Sequence, residues 1–135
     1  MGASVPIELK LLLAAVVVGL VQIVWAVLGG MGGERSLAWL MGPRDDDRPR
    51  GVTAARLDRA LKNFTETFPM FAAALLACVA TGKVGGPLTV YGAWLYVMGR
   101  AAYAPLYASG VAIVRTLAWA VSLAGIGMVI VAFFG

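Results

Sequence analysis

The chain has 135 residues, 61% of them hydrophobic and only 13% charged, with a mean hydropathy of +0.86, values that belong to an integral membrane protein and exclude an ordinary soluble domain. It contains no histidine and one cysteine, which excludes imidazole catalysis, histidine metal ligation, an internal disulfide framework and a cysteine metal cluster. The net charge of +4 is concentrated in one loop beside apolar segments, so membrane topology explains it better than nucleic-acid binding.

A membrane crossing takes about 20 helical residues, and the apolar pattern predicts four crossings in a single domain, residues 1–135. The fold class is therefore an all-α integral membrane protein, a four-transmembrane-helix bundle with helices at about 7–28, 53–80, 87–108 and 111–134 and a polar loop at about 29–52. The first helix, Ile7 to Leu28, is almost uninterrupted apolar sequence with Glu8 and Lys10 near its start and Gln22 inside it. At about 1.5 Å rise per residue it spans roughly 33 Å. Its apolar run is too long for a secretory signal, and its start carries both an acid and a base.

The run Gly29-Gly30-Met31-Gly32-Gly33 ends that helix. The following loop holds Arg44-Asp45-Asp46-Asp47-Arg48-Pro49-Arg50, whose mixed charges read as a solvated segment with internal ion pairs. Three adjacent acids without a glycine-containing loop pattern do not make a calcium site, and no metal is expected. Thr53 is the predicted cap of the second helix and Pro69 its predicted kink. Cys78, in the apolar run Phe71 to Ala80, reads as packing. The glycines and proline of Thr81 to Pro87 predict a tight turn, Pro87 opens the third helix at a position where its missing N–H is harmless, and Ser109-Gly110 is a short break before the fourth.

Polar residues form two stripes. At about 100° per residue, Arg56, Arg59, Asn63 and Glu66 fall at about 0°, about −60°, about −20° and about −80° on the second helix. On the third, taking Arg100 as the origin, Tyr96, Tyr103 and Tyr107 lie at about −40°, about −60° and about −20° by the same rule. Ionisable groups at membrane depth cost several kcal/mol unless paired or facing a polar cavity, so such stripes point to function. With Arg115 at the start of the fourth helix, the arginines offer guanidinium forks against one interior carboxylate, Glu66. That balance suits a small polyanionic ligand. Arg35, Arg44, Arg48, Arg50, Arg56, Arg59 and Lys62 outnumber Lys10 and Lys83. The positive-inside rule then places the large loop and the polar stripes on the cytoplasmic side and both termini on the other.

Arg59-Ala60-x-x-Asn63-x-x-Glu66-x-x-Pro69-x-Phe71, followed by Gly99-Arg100-x-x-Tyr103-x-x-x-Tyr107 and Arg115, resembles the MAPEG family, the membrane-associated proteins in eicosanoid and glutathione metabolism. The resemblance covers nearly the whole chain in layout and is strongest from Arg56 to Phe71 and from Gly99 to Arg115. It implies a homotrimer that binds glutathione as co-substrate between subunits at the cytoplasmic side. By position, Arg59, Asn63 and Glu66 would hold the tripeptide, joined by Arg56, Arg100, Tyr103 and Tyr107, and Arg115 would be the catalytic, thiolate-stabilising residue. Thr67 stands where the leukotriene synthases carry tyrosine, so that subtype is not implied. The compact chain looks like the bacterial branch, in an inner membrane. Its second partner would be a lipophilic small molecule from the bilayer, conjugated to glutathione or, if a lipid hydroperoxide, reduced by it. It would arrive through a groove between subunits lined by residues such as Trp119, Phe64 and Met98, which themselves read as lipid-facing or packing residues with no site role. The alternatives are a non-catalytic lipid- or partner-binding protein of the same family and a small multidrug transporter, which needs an acid within its first helix, where Glu8 lies only at the edge.

Overall fold

The computed structural model describes residues 4–31, 36–45 and 51–135. Gly32, Gly33, Arg35, Asp46, Asp47, Arg48 and Arg50, which entered the loop and topology readings, lie outside the described residues. Among the described residues five helices follow in chain order: α1 (Ile7–Gly30), α2 (Leu37–Met41), α3 (Val52–Ala80), α4 (Pro87–Ser109) and α5 (Ala112–Phe134).

Two local expectations are corrected. The segment after α1 is not all loop: Ser36 accepts a hydrogen bond from the Trp39 backbone N–H at 3.2 Å and caps the one-turn helix α2. Thr53 does not cap α3, because the helix begins at Val52 on extended Gly51 and leaves Thr53 already inside the first turn. Pro69 sits within α3, which continues through it to Ala80. Between α4 and α5 only Gly110 and Val111 are non-helical. Gly110 has φ +81°, the left-handed region that glycine enters without penalty, and its N–H closes onto the Tyr107 carbonyl at 3.1 Å.

That short link folds α5 back along α4, and these two helices share the most extensive contact in the molecule. Glycine makes it close. A Cβ on Gly92 would meet the Gly125 carbonyl at 2.8 Å, and one on Gly99 would meet the Ala118 carbonyl at 2.9 Å. Backbone approaches backbone there, as at small-residue interfaces in membranes. Both α3 and α4 also pack on α1, α3 touches α5, and α1 and α5 do not meet. The core therefore lies between α3 and α4, flanked by the other two long helices.

Leu11 and Ala15 of α1, Phe71, Leu75 and Cys78 of α3, Ala93, Tyr96 and Val97 of α4, and Ile126 and Val129 of α5 form that core. Tyr96, which the helical stripe had grouped with Arg100, belongs to it: the ring stacks on Phe71 at 4.0 Å, and its hydroxyl pairs with Thr67 Oγ1 at 3.1 Å. Cys78 is buried, with Sγ 3.5 Å from the Val129 carbonyl. Glu8 is fully buried rather than marginal, accepting from the Gly85 N–H and from Thr89 Oγ1, the latter at 2.7 Å. It ties the start of α1 to the α3–α4 turn.

The outer surface is the reverse of a soluble protein's. Leu13, Val17, Leu20, Val24 and Leu28 of α1 and Ile113, Leu117 and Val131 of α5 are exposed, and α1, α3 and α5 are long and apolar enough to cross a membrane. Apolar patches of this extent face lipid, not water. α4, also long at 23 residues, is not among those three. It packs against all three other long helices, as α3 does.

Candidate functional site

The site is assembled where the N-terminal half of α3, the C-terminal half of α4 and the first turns of α5 converge. At its base lies Arg100, fully buried. Its Nη1 donates to Asn63 Oδ1 at 2.8 Å, its guanidinium lies 4.3 Å from the Tyr103 ring centroid, and Phe64 lies below at 5.8 Å. One amide and two ring faces compensate part of the charge. Nε and Nη2 are buried and have no hydrogen-bond partner among the described residues. Those two N–H groups form one edge of a guanidinium fork, the geometry that takes a carboxylate in two parallel hydrogen bonds.

Nearer the end of α4, Tyr107 is the meeting point of two further arginines. Arg59 of α3 donates through Nε to the Tyr107 hydroxyl at 3.0 Å, and Arg115 of α5 stacks over the same ring at 4.4 Å from its centroid. Tyr103 meets Tyr107 edge to face at 5.7 Å. Arg56 reaches across to the Ala108 carbonyl, with Nη1 at 3.3 Å, and a Cβ on Gly110 would collide with its guanidinium at 2.9 Å. The glycine that permits the α4–α5 turn thus also admits Arg56.

Four arginines are gathered around the C-terminal half of α4, and none of them pairs with a carboxylate among the described residues. Their positive charge is held by neutral acceptors and aromatic faces, which leaves it available to an anion. Asn63, Tyr103, Arg115, Thr116 and Trp119 line a cavity of about 200 Å³ beside them.

The structure brings together seven of the eight sequence-predicted site residues: Arg56, Arg59 and Asn63 from α3, Arg100, Tyr103 and Tyr107 from α4, and Arg115 from α5. Glu66 is the exception. It is exposed on α3, one turn beyond Asn63, and takes no part in these contacts. Two residues at the cavity were passed over in the sequence, Thr116 and Trp119. The signal for Trp119 was its spacing, four residues after Arg115, which puts both on one face of α5. Phe64 was also passed over, although its ring lies beneath the Arg100 guanidinium.

The sequence model of the MAPEG family matches residues 9–135. The chain belongs to the MAPEG family. No curated protein and no solved structure matches it. The match runs through every residue of the site, and membership agrees with a membrane protein related to glutathione. In this MAPEG protein the arginines come from three different helices of one chain, so the α4–α5 turn and the α3–α4 contact must both form before the site exists.

Proposed function

We propose that this MAPEG protein is a membrane-bound glutathione-dependent enzyme that joins glutathione to a lipophilic electrophile or uses it to reduce a lipid hydroperoxide. One observation carries the reading: Arg59 and Arg115 converge on Tyr107 while Arg100 keeps two unpaired N–H groups. Glutathione has two carboxylates, one ammonium and a thiol. The Nε–Nη2 edge of Arg100 is unpaired but buried, so it would take one carboxylate once its cover moves aside, and Arg59 and Arg56 stand where a second would be attracted.

Arg115 takes the catalytic role. A thiol near neutral pH is mostly protonated, and a fixed positive charge beside the sulfur favours the thiolate, at about 1.4 kcal/mol per unit of pKa. A guanidinium does this without exchanging its own proton. The thiolate then forms a carbon–sulfur bond with an electrophile reached from the bilayer, the thiol's proton going to the leaving group or the resulting anion; or it attacks a peroxide oxygen, breaking the O–O bond to release the lipid alcohol, and a second glutathione reduces the resulting sulfenic acid to give glutathione disulfide and water. Glu66 holds the glutathione ammonium.

The cavity of about 200 Å³ is below the roughly 300 Å³ at which small-molecule sites commonly begin, and Glu66 and Arg59 are exposed. A homotrimer, with α4 as the fourth crossing, would complete the site by laying a neighbouring protomer over that face. The site would look to the cytoplasm of a bacterial inner membrane, with both termini opposite. Turnover of an aromatic or lipid electrophile by the reconstituted protein, dependent on glutathione and accompanied by a trimeric mass, is the result that supports this reading. Glutathione binding without turnover of any electrophile or hydroperoxide would favour the non-catalytic member of the same family. A transporter would need a working acid in the first helix, and Glu8 stands only in its first turn, with Oε1 accepting from Gly85 and Thr89.

A further inference from the structure

α1 supplies none of the arginine-site residues, yet one of its glycines reaches that site through Phe64. Gly19 is buried on α1, and a Cβ there would stand 2.6 Å from Cε1 and 2.9 Å from Cζ of the Phe64 ring. Carbon atoms in good contact stand about 3.5–4.0 Å apart. The tip of the ring thus fills a hollow that exists only because Gly19 has no side chain.

The ring has little freedom to go elsewhere. Phe64 is 6% exposed, stacks on Phe68 with centroids 5.4 Å apart and planes 16° from parallel, and has the Arg100 guanidinium 5.8 Å from its centroid. Its chain neighbour Asn63 accepts the 2.8 Å hydrogen bond from Arg100 Nη1. Adjacent residues of α3 therefore locate Arg100, one by an amide and the other by a ring, and the ring is located in turn by Gly19. A close-packed interior passes a displacement on to its neighbours rather than absorbing it.

We propose that Gly19 is a positioning residue for the arginine site: it sets the place of the Phe64 ring, and through it the place of the Arg100 guanidinium, whose Nε–Nη2 edge meets a ligand carboxylate. The proposal rests on the reading of that ligand as glutathione. Gly19 touches no ligand and takes no part in the chemistry. Its effect falls on binding, because Arg100 holds a carboxylate that does not change as the thiol reacts, whereas Arg115 of α5 acts on the sulfur.

A control lies on the same pair of helices. A Cβ on Gly29 would meet Leu57 Cδ1 at 2.7 Å, so Gly29→Ala also crowds the contact between α1 and α3, about two helical turns before Phe64 on α3.

The test uses the full chain in detergent with isotope-labelled arginine, followed by NMR, so that the Arg100 Nε–H signal, assigned through Arg100→Lys, reports the guanidinium directly. Gly19→Ala should move that signal, and Gly29→Ala should leave it in place. Glutathione affinity by titration calorimetry should fall about tenfold in Gly19→Ala, a difference worth about 1.4 kcal/mol, with KM rising to match and kcat near that of the unsubstituted protein. Phe64→Leu removes Cε1 and Cζ, so in that background Gly19→Ala should have no further effect on affinity. An unmoved Arg100 signal in Gly19→Ala, an equal shift in Gly29→Ala, or the full loss of affinity in the Phe64→Leu background would overturn the proposal. Should Gly19→Ala fail to fold, Phe64→Leu reads the same link, since removal of the ring must move the Arg100 signal, and an unmoved signal overturns it. The arginine signal needs no ligand, so a protein that binds no glutathione would fail the enzyme reading while the effect of Gly19 on Arg100 is still decided.

Discussion

Asn63 Oδ1 accepts a 2.8 Å hydrogen bond from Nη1 of Arg100, and among the described residues this is the one hydrogen bond that the buried guanidinium makes. The pair joins α3 to α4 at the floor of the site and leaves the opposite, buried edge of the fork unpaired. Replacing Asn63 with Leu should destabilise the protein by about 1–3 kcal/mol, the cost of a stranded buried donor, measured by thermal unfolding in detergent. Asn63→Asp should keep the fold but draw the guanidinium into an internal ion pair, and weaken glutathione binding by titration calorimetry.

Arg115 stacks on Tyr107 4.4 Å from the ring centroid and has the catalytic role in this account. Arg115→Ala should lower turnover about 100-fold, the usual loss when one electrostatic stabiliser is removed, with the oligomer intact by size-exclusion chromatography. Arg115→Lys should fall between, since it restores charge but not the planar stack.

Tyr107 receives Arg59 through its hydroxyl and Arg115 through its ring. Tyr107→Phe deletes only the first contact. Glutathione affinity should drop about three- to tenfold, the scale of one hydrogen bond, while kcat stays near that of the unsubstituted protein. A matching loss in kcat would give the hydroxyl a part in the chemistry.

Gly125 faces Gly92 and the Tyr96 backbone across the α4–α5 contact, with a Cβ there 2.8 Å from the Tyr96 nitrogen. Gly125→Val should cost at least about 1–3 kcal/mol by overpacking, seen as a lowered Tm. Gly127, two residues along, has nothing within 4 Å of its Cβ position. Gly127→Ala should be neutral or slightly stabilising, since alanine is the better helix former by about 1 kcal/mol.

The site was legible in the sequence because its residues repeat at helical spacing against an apolar background, so that any departure from hydrocarbon stands out. Spacing alone showed that Asn63 and Arg100 each lie on a polar stripe. It carried no distance between the stripes, and it could not separate Tyr96, which turns into the core against Phe71, from Tyr103 and Tyr107. Depth made that difference, and a helical wheel carries no depth. Glu8 shows the same limit, because its partners Gly85 and Thr89 lie far along the chain, beyond the reach of any local pattern. The helix α2 was missed because its five residues are too few for a periodic pattern, although Ser36 before an apolar run was a cap signal. Thr53 was a plausible cap by residue type, but the helix starts one residue earlier.

The central claim is that this cluster of arginines turns the thiol of glutathione into a thiolate. Mixing detergent-solubilised protein with glutathione at neutral pH and following the thiolate by ultraviolet absorbance tests it most directly. The account predicts a saturable absorbance above that of free glutathione, lost in Arg115→Ala and retained in Gly127→Ala. Absence of that signal from the unsubstituted protein, or its persistence undiminished in Arg115→Ala, would contradict it.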